Sequence, residues 1–232
     1  MDKKILTISI VAFVGFILIS YFAFNKPTQT YYPDQVVDVE KTASDSAKTS
    51  TTDHKKGSGK NILIEYSDLQ CPACKMFHDY IEAEKKKDKD FAKLMDQDYT
   101  LIYRHFPLVQ LHKNAESAAY AAEAAAVQGK YYEFIDRAFT TQNDWAESDK
   151  PMDFFVKIAK DLGLDEKKFA EDAKSDAVKK KVQSDTDMAT KGEVNATPTF
   201  FANGVKLGGY NSFDDFKKML VDATKNPPKT QK

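Results

Sequence analysis

The chain has 232 residues, enough for one or two domains, and 42% apolar residues, enough for a packed core and too many for disorder throughout. Its 34 Lys and Arg nearly cancel its 35 Asp and Glu, so charge gives no argument for a nucleic-acid partner and none is expected. Two cysteines, Cys71 and Cys74, exclude a disulfide-rich scaffold and any four-cysteine zinc or iron–sulfur site.

In chain order, residues 1–4 carry Lys3 and Lys4 and are expected to be cytoplasmic. Ile5 to Phe24 is an uncharged apolar run of 20 residues, long enough at 1.5 Å per residue to cross ~30 Å of hydrocarbon. A signal-peptide core is shorter, and no small-x-small cleavage site follows, so a retained single-pass anchor is predicted. Lys3, Lys4 and the terminal amine outweigh Lys26 and Lys41, which places the C-terminal domain outside the cytoplasm of a cell membrane. Residues 25–59 are rich in Ser, Thr, Asp and Lys, with Gly57-Ser58-Gly59 near their end. Such a stretch buries too little apolar area to offset its ordering entropy and reads as a flexible tether reaching ~30–35 Å.

The folded domain is then expected over residues 60–225, with 226–232 as a tail. Asn61 to Tyr66 has the pattern of a buried strand. After a short loop come Cys71-Pro72-Ala73-Cys74, with Pro72 suited to the first position of a helix and Met76, Phe77, Tyr80 and Ile81 at helical spacing. Tyr99 to His105 reads as a second strand. Ala115 to Val127 reads as a helix closed by Gly129, Tyr131 to Phe139 as another, and Phe154 to Leu162 as a third between Pro151 and Gly163. Asp165 can cap the next helix. The aromatics at these spacings are read as core. Pro198 to Ala202 and Val205 to Leu207 flank Asn203-Gly204, a strong hairpin signal, and Ser212 with Asp215 resembles a capping box before Phe213, Phe216, Leu220 and Ala223. The order implies an α/β fold, a mixed central sheet flanked by helices.

A Cys-x-x-Cys pair at a strand-to-helix junction puts Cys71 at a helix N-terminus. There, unpaired backbone N–H groups and the macrodipole favour the reactive thiolate. Cys71 is read as the exposed nucleophile and Cys74, a turn deeper, as its resolving partner. Redox activity ranks ahead of three other readings. A structural disulfide closing so short a loop removes little unfolded-chain entropy. A zinc site through His78, with His105 or His112 completing it, has no second paired motif; His78 is expected to be solvated and no metal is expected. Inert buried thiols suit a helix N-terminus poorly.

Three segments together resemble the DsbA-like group of the thioredoxin superfamily: Glu65-Tyr66-Ser67-Asp68-Leu69-Gln70-Cys71-Pro72-Ala73-Cys74, Tyr103-Arg104-His105-Phe106-Pro107-Leu108, and Ala196-Thr197-Pro198-Thr199-Phe200-Phe201. The resemblance covers about residues 60–224. It implies a thioredoxin fold interrupted by an all-helical insertion at about 109–191, here preceded by one transmembrane helix. It also implies that Cys71 is the nucleophile, Cys74 the resolving cysteine, and Pro198 a cis-proline facing them after Thr197. The Thr197 backbone would then pair with an extended substrate segment as an added strand. Glu65 matches the family's buried acid, which exchanges a proton with Cys74. Ala73 stands where the most oxidising members carry a histidine.

The expectation is therefore a membrane-anchored thiol–disulfide oxidoreductase that introduces disulfides into exported proteins, with no cofactor beyond a redox-active Cys71–Cys74 disulfide. Its partners would be exported protein thiols, the lipid bilayer through residues 5–24, and a membrane redox protein that reoxidises it. Reductase or isomerase activity is the nearest alternative, and a Cys/His metallochaperone a more distant one.

Overall fold

The computed structural model describes residues 45–208 and 211–225. The predicted anchor at 5–24, the tether up to residue 44 and the tail at 226–232 lie outside the described residues. Among the described residues no helix is long and apolar enough to cross a membrane.

Among the described residues, five strands form one mixed sheet: β1 (Lys55–Gly57), β2 (Asn61–Ser67), β3 (Tyr99–His105), β4 (Thr199–Ala202) and β5 (Val205–Leu207), in the spatial order β1-β3-β2-β4-β5. The β2–β3 pair is parallel and the other pairs are antiparallel. Parallel neighbours need a crossover, and this one is made by α1 (Pro72–Lys87) and α2 (Lys89–Lys93) with a π-helical turn at Leu94–Asp98. Helices α3 (Ala115–Val127), α4 (Tyr131–Thr140), α5 (Gln142–Trp145), α6 (Pro151–Asp161), α7 (Glu166–Asp172) and α8 (Asp176–Lys191) form the insertion, and α9 (Phe213–Ala223) is the last element of the described residues.

Local rules account for most boundaries. Pro72 occupies the first turn of α1, Asp165 accepts the Lys168 N–H at 2.9 Å to cap α7, and Ser212 accepts the Asp215 N–H at 3.1 Å to cap α9. Asn203 and Gly204 both have positive φ, 52° and 87°, as a two-residue hairpin turn requires.

Alternation along the central strands sends their side chains to opposite faces. Leu63 and Phe200 pack with Phe77, Phe91, Phe216 and Leu220 beneath α1 and α9, whereas Ile64, Tyr66, Ile102 and Phe201 pack with Ala189 of α8. A third cluster fills the insertion around Phe134, Trp145, Phe155 and Phe169 and runs to Leu69, Cys71 and Cys74. The helical block is thus rooted directly beside the cysteine pair.

The tether boundary needs correction. The predicted linker ran to residue 59, but the chain is packed from Asp45 onward. A 3-10 turn at Asp45–Ala47 buries Ser46 and Ala47, and β1 pairs with β3 at the sheet edge. Arg104, fully buried, explains why a polar segment folds. It holds Asp53 through Nε–Oδ1 and Nη2–Oδ2 contacts of 2.9 Å each, and donates to the carbonyls of Ser46 (2.9 Å) and Lys48 (2.5 Å) and to the Tyr66 hydroxyl (2.7 Å). Charge-assisted hydrogen bonds to Arg104, with the β1–β3 ladder and the burial of Ala47, hold this strap down. Gly59 is likewise no spacer: a Cβ there would stand 2.0 Å from the Asp98 backbone.

Candidate functional site

Strand β2 ends at Ser67, the loop Asp68–Gln70 turns, and α1 begins. The local hydrogen bonds fix this turn. The Asp68 carboxylate accepts from the N–H groups of Gln70 (2.8 Å) and Leu108 (2.9 Å) and pairs with His112 Nδ1 (2.7 Å), while its carbonyl accepts the Cys71 N–H (3.0 Å). The insertion grips the same loop. Gln142 donates to the carbonyl of Leu69 at 2.7 Å, Gln70 donates to that of Ala146 at 2.6 Å, and the Asn114 N–H donates to Gln70 Oε1 at 2.6 Å.

Cys71 is the N-cap residue of α1, with extended backbone. Its sulfur approaches the Thr197 carbonyl at 3.6 Å, and the Thr197–Pro198 peptide bond is cis, as the resemblance implied. Cys71, Cys74 and the Thr197–Pro198 loop are therefore brought together. Cys71 departs from the expected exposed nucleophile, keeping only 7% of its surface against 0% for Cys74. The Thr197 carbonyl, which no local pattern places over the helix tip, and the apolar cluster of the insertion both lie against Cys71.

The two sulfurs have opposite acidities. The hydrogen bond from Cys74 lowers the Cys71 pKa most. It works against burial with help from Thr197 and the backbone N–H groups of Cys74 and Ala73, and brings the value from 9.0 to about 5. Burial drives Cys74 well above its ordinary value, and the Cys71 charge adds to that. A thiolate at Cys71 beside a protonated Cys74 is the arrangement that disulfide exchange requires.

Glu65 lies on β2 in register with Tyr103 of β3 and Phe200 of β4, 9% exposed. Burial raises its pKa from 4.5 to about 7, against the pull of the Ser67 hydroxyl and of His78. His78 is not the solvated histidine expected from α1. Its side chain is 14% exposed and its Nε2 meets Asp136 of α4 at 3.0 Å. Burial opposes its charge, yet Asp136 holds its pKa above the ordinary value. His105 is buried against Tyr131, with Nε2 at 3.0 Å from its hydroxyl, and His112 is held by Asp68, so the three histidines considered as joint ligands have separate partners.

Sequence reasoning missed the roles of Asp68, Gln70, Asn114 and Gln142 around the loop. Only Asp68 carried a local signal, since an Asx-type bond two residues ahead is common in turns. The others lie more than 40 residues away from their partners or depend on such a residue.

A family model described as Thioredoxin matches residues 50–222. Among curated proteins, the chain is 35% identical over 150 residues to a Na(+)/H(+) antiporter NhaA 1 of Mycolicibacterium vanbaalenii and 32% identical over 164 residues to a Na(+)/H(+) antiporter NhaA 3 of Salinispora tropica. These matches cover 64% and 69% of this chain but only 22% and 23% of those proteins, so the chain spans about a fifth of their length. Among solved structures, a double cysteine-to-alanine variant of α-DsbA1 of Wolbachia pipientis aligns with TM-score 0.65 and 23% identity over 80% of this chain and 97% of that one. Oxidised BdbD of Bacillus subtilis aligns with TM-score 0.63 and 20% identity over 74% and 92%. A thioredoxin-like oxidoreductase of Silicibacter pomeroyi aligns with TM-score 0.60 and 25% identity over 78% and 97%. With its mixed sheet, its helical insertion and its paired cysteines at the tip of α1, the chain shares the fold of these DsbA-like structures and belongs to the thioredoxin family.

Proposed function

We propose that this protein introduces disulfides into exported proteins through Cys71 and Cys74, from a membrane anchor at residues 5–24. The observation that carries the reading is the Cys71 sulfur at the N-cap of α1, its pKa brought down to about 5. Stabilising the thiolate stabilises the reduced enzyme, and a stable reduced form makes the disulfide a stronger oxidant.

In the proposed cycle a substrate thiolate attacks Cys71 and releases Cys74, forming a mixed disulfide. A second substrate thiolate then displaces Cys71, leaving the substrate oxidised and the enzyme reduced. Glu65 exchanges a proton with Cys74 during the first step. Thr197 and Pro198 receive an extended substrate segment by strand addition alongside the cysteines. A membrane redox protein, quinone-linked by analogy with the family, reoxidises the pair in an extracytoplasmic compartment, where oxidising conditions favour disulfides.

Pro72-Ala73 between the cysteines supports a second reading as reductase or isomerase, since no histidine side chain there assists the Cys71 anion. Equilibration of Cys71–Cys74 with glutathione separates the two. A potential between about −120 and −180 mV supports oxidation, whereas one near about −270 mV overturns it in favour of reduction. Retention of the full chain in a membrane fraction, with the domain open to added protease from outside, tests the anchor and its orientation. A fully released chain rejects both.

A further inference from the structure

Asp68 touches both cysteines through its backbone. Its N–H donates to the Cys74 sulfur at 3.5 Å, and its carbonyl accepts the Cys71 N–H at 3.0 Å. Its side chain is fully buried, and three donors meet the carboxylate there. Oδ1 accepts the Gln70 N–H at 2.8 Å, while Oδ2 accepts the Leu108 N–H at 2.9 Å and His112 Nδ1 at 2.7 Å. A carboxylate only accepts, so Nδ1 carries the hydrogen of that last bond. Gln70 belongs to the cysteine turn itself, whereas Leu108 and His112 lie 40 and 44 residues beyond Asp68, in the segment after β3. That segment is a closed turn of its own, since the Leu111 and His112 N–H groups both donate to the Leu108 carbonyl, at 2.8 and 2.9 Å. A buried carboxylate is costly without its donors, so Asp68 sits where these three hold it, and its N–H and carbonyl are placed with it.

We propose that the Asp68–His112 pair positions the cysteine turn so that the dithiol is favoured over the disulfide, making His112 a determinant of oxidising strength. This rests on the exchange mechanism proposed above and names a residue, remote in sequence, that sets its driving force. Negative charge resides on a cysteine sulfur only once the Cys71–Cys74 bond is broken, and hydrogen bonds to a charged acceptor are about twice as strong as neutral ones. An N–H held against Cys74, and a helix tip held beneath Cys71, therefore stabilise the dithiol and mixed-disulfide states more than the disulfide. The Asp68 carboxylate works the other way, because an anion beside the turn opposes a thiolate. The Nδ1–H of His112 offsets that charge at Oδ2. Loss of His112 loosens the Asp68 N–H against Cys74 and leaves the Asp68 charge less compensated. Both effects weaken the same state. His112 acts through Asp68 and is a positioning residue.

The test is equilibration of the full chain with glutathione, in which two glutathione thiols become one glutathione disulfide as the Cys71–Cys74 disulfide becomes a dithiol. His112→Ala should shift this equilibrium about tenfold towards the enzyme disulfide, a potential lower by about 30 mV. His112→Leu, which fills the space without a donor, should match it, so the result does not hang on a void. The Cys71 thiolate, followed by its ultraviolet absorbance, should form at higher pH in both variants. His112→Asn carries a side-chain N–H close to the Nδ1 position and should restore both readings. A merely structural role would leave the potential in place, since lost packing weakens disulfide and dithiol forms alike. An unmoved potential in His112→Ala and His112→Leu, or an equal shift in His112→Asn, would overturn the proposal. Failure of the unaltered protein to exchange with glutathione would instead overturn the exchange mechanism itself.

Discussion

Two residues carry the titration behaviour of the site, and they pull in opposite directions. Cys71 has a folded-state pKa of about 5 against an ordinary 9.0, so its stabilisation of the reduced protein is fully present above the ordinary value and is lost as pH falls through about 5. The reduced form should accordingly melt above the oxidised form at neutral pH, and the gap should close as pH drops towards 5. Thermal melts of both forms across pH check this, and a gap independent of pH would contradict it. Glu65 is raised from 4.5 to about 7, so its charge costs stability once pH exceeds 4.5, and the cost is complete above about 7. Glu65→Gln should gain at most about 3 kcal/mol above neutrality and nothing in acid, at 1.36 kcal/mol per pKa unit. It should also slow protonation of Cys74 and remove the Glu65 limb from the pH profile of exchange. Unchanged turnover would show that the acid has no part in it.

Among the elements, the strap at 45–57 and the cysteine-bearing turn are both held by long-range polar contacts. Asp53 and Arg104 have fully buried side chains, and removing one leaves the other charged and unpaired in the core. Asp53→Ala should lower stability by about 3–5 kcal/mol, whereas replacing both with apolar residues of similar volume should cost much less. Urea unfolding of the single and double variants measures this, and a single-variant loss below about 1 kcal/mol would mean that the strap is held by something else. Such a segment was unreadable beforehand because its signal is not apolar area. Its partner Arg104 lies 51 residues further on, in a strand that reads as an ordinary buried one.

At the scale of the molecule, the insertion and the sheet are joined by a buried charge network. Glu123 of α3 pairs with His54 (2.9 Å) and His105 (3.3 Å), and Lys181 of α8 pairs with Asp185 at 2.6 Å, whose carboxylate also accepts the His105 N–H at 3.1 Å. Burial raises the Glu123 pKa, but His105 and His54 overcome it and bring it from 4.5 to about 2. Its stabilisation is present above 4.5 and disappears as pH falls towards 2. Glu123→Gln should therefore destabilise the protein near neutrality by several kcal/mol and flatten its acid unfolding, as circular dichroism against pH would record. An acid transition unaltered by the substitution would place the sensitivity elsewhere. Local chemistry in the chain itself determined most elements: the β2 and β3 runs, Pro72 opening α1, the Asn203-Gly204 turn and the Ser212 cap all act within a few residues, where periodicity and turn preferences are written directly. It also determined the paired cysteines at a strand–helix junction. Only the tertiary structure decided how far Cys71 is covered, where Glu65 and Ser67 point, which partner His78 takes and where the folded domain begins. Those outcomes depend on burial and on charges brought together from remote positions, and desolvation has no footprint in the order of residues along a chain.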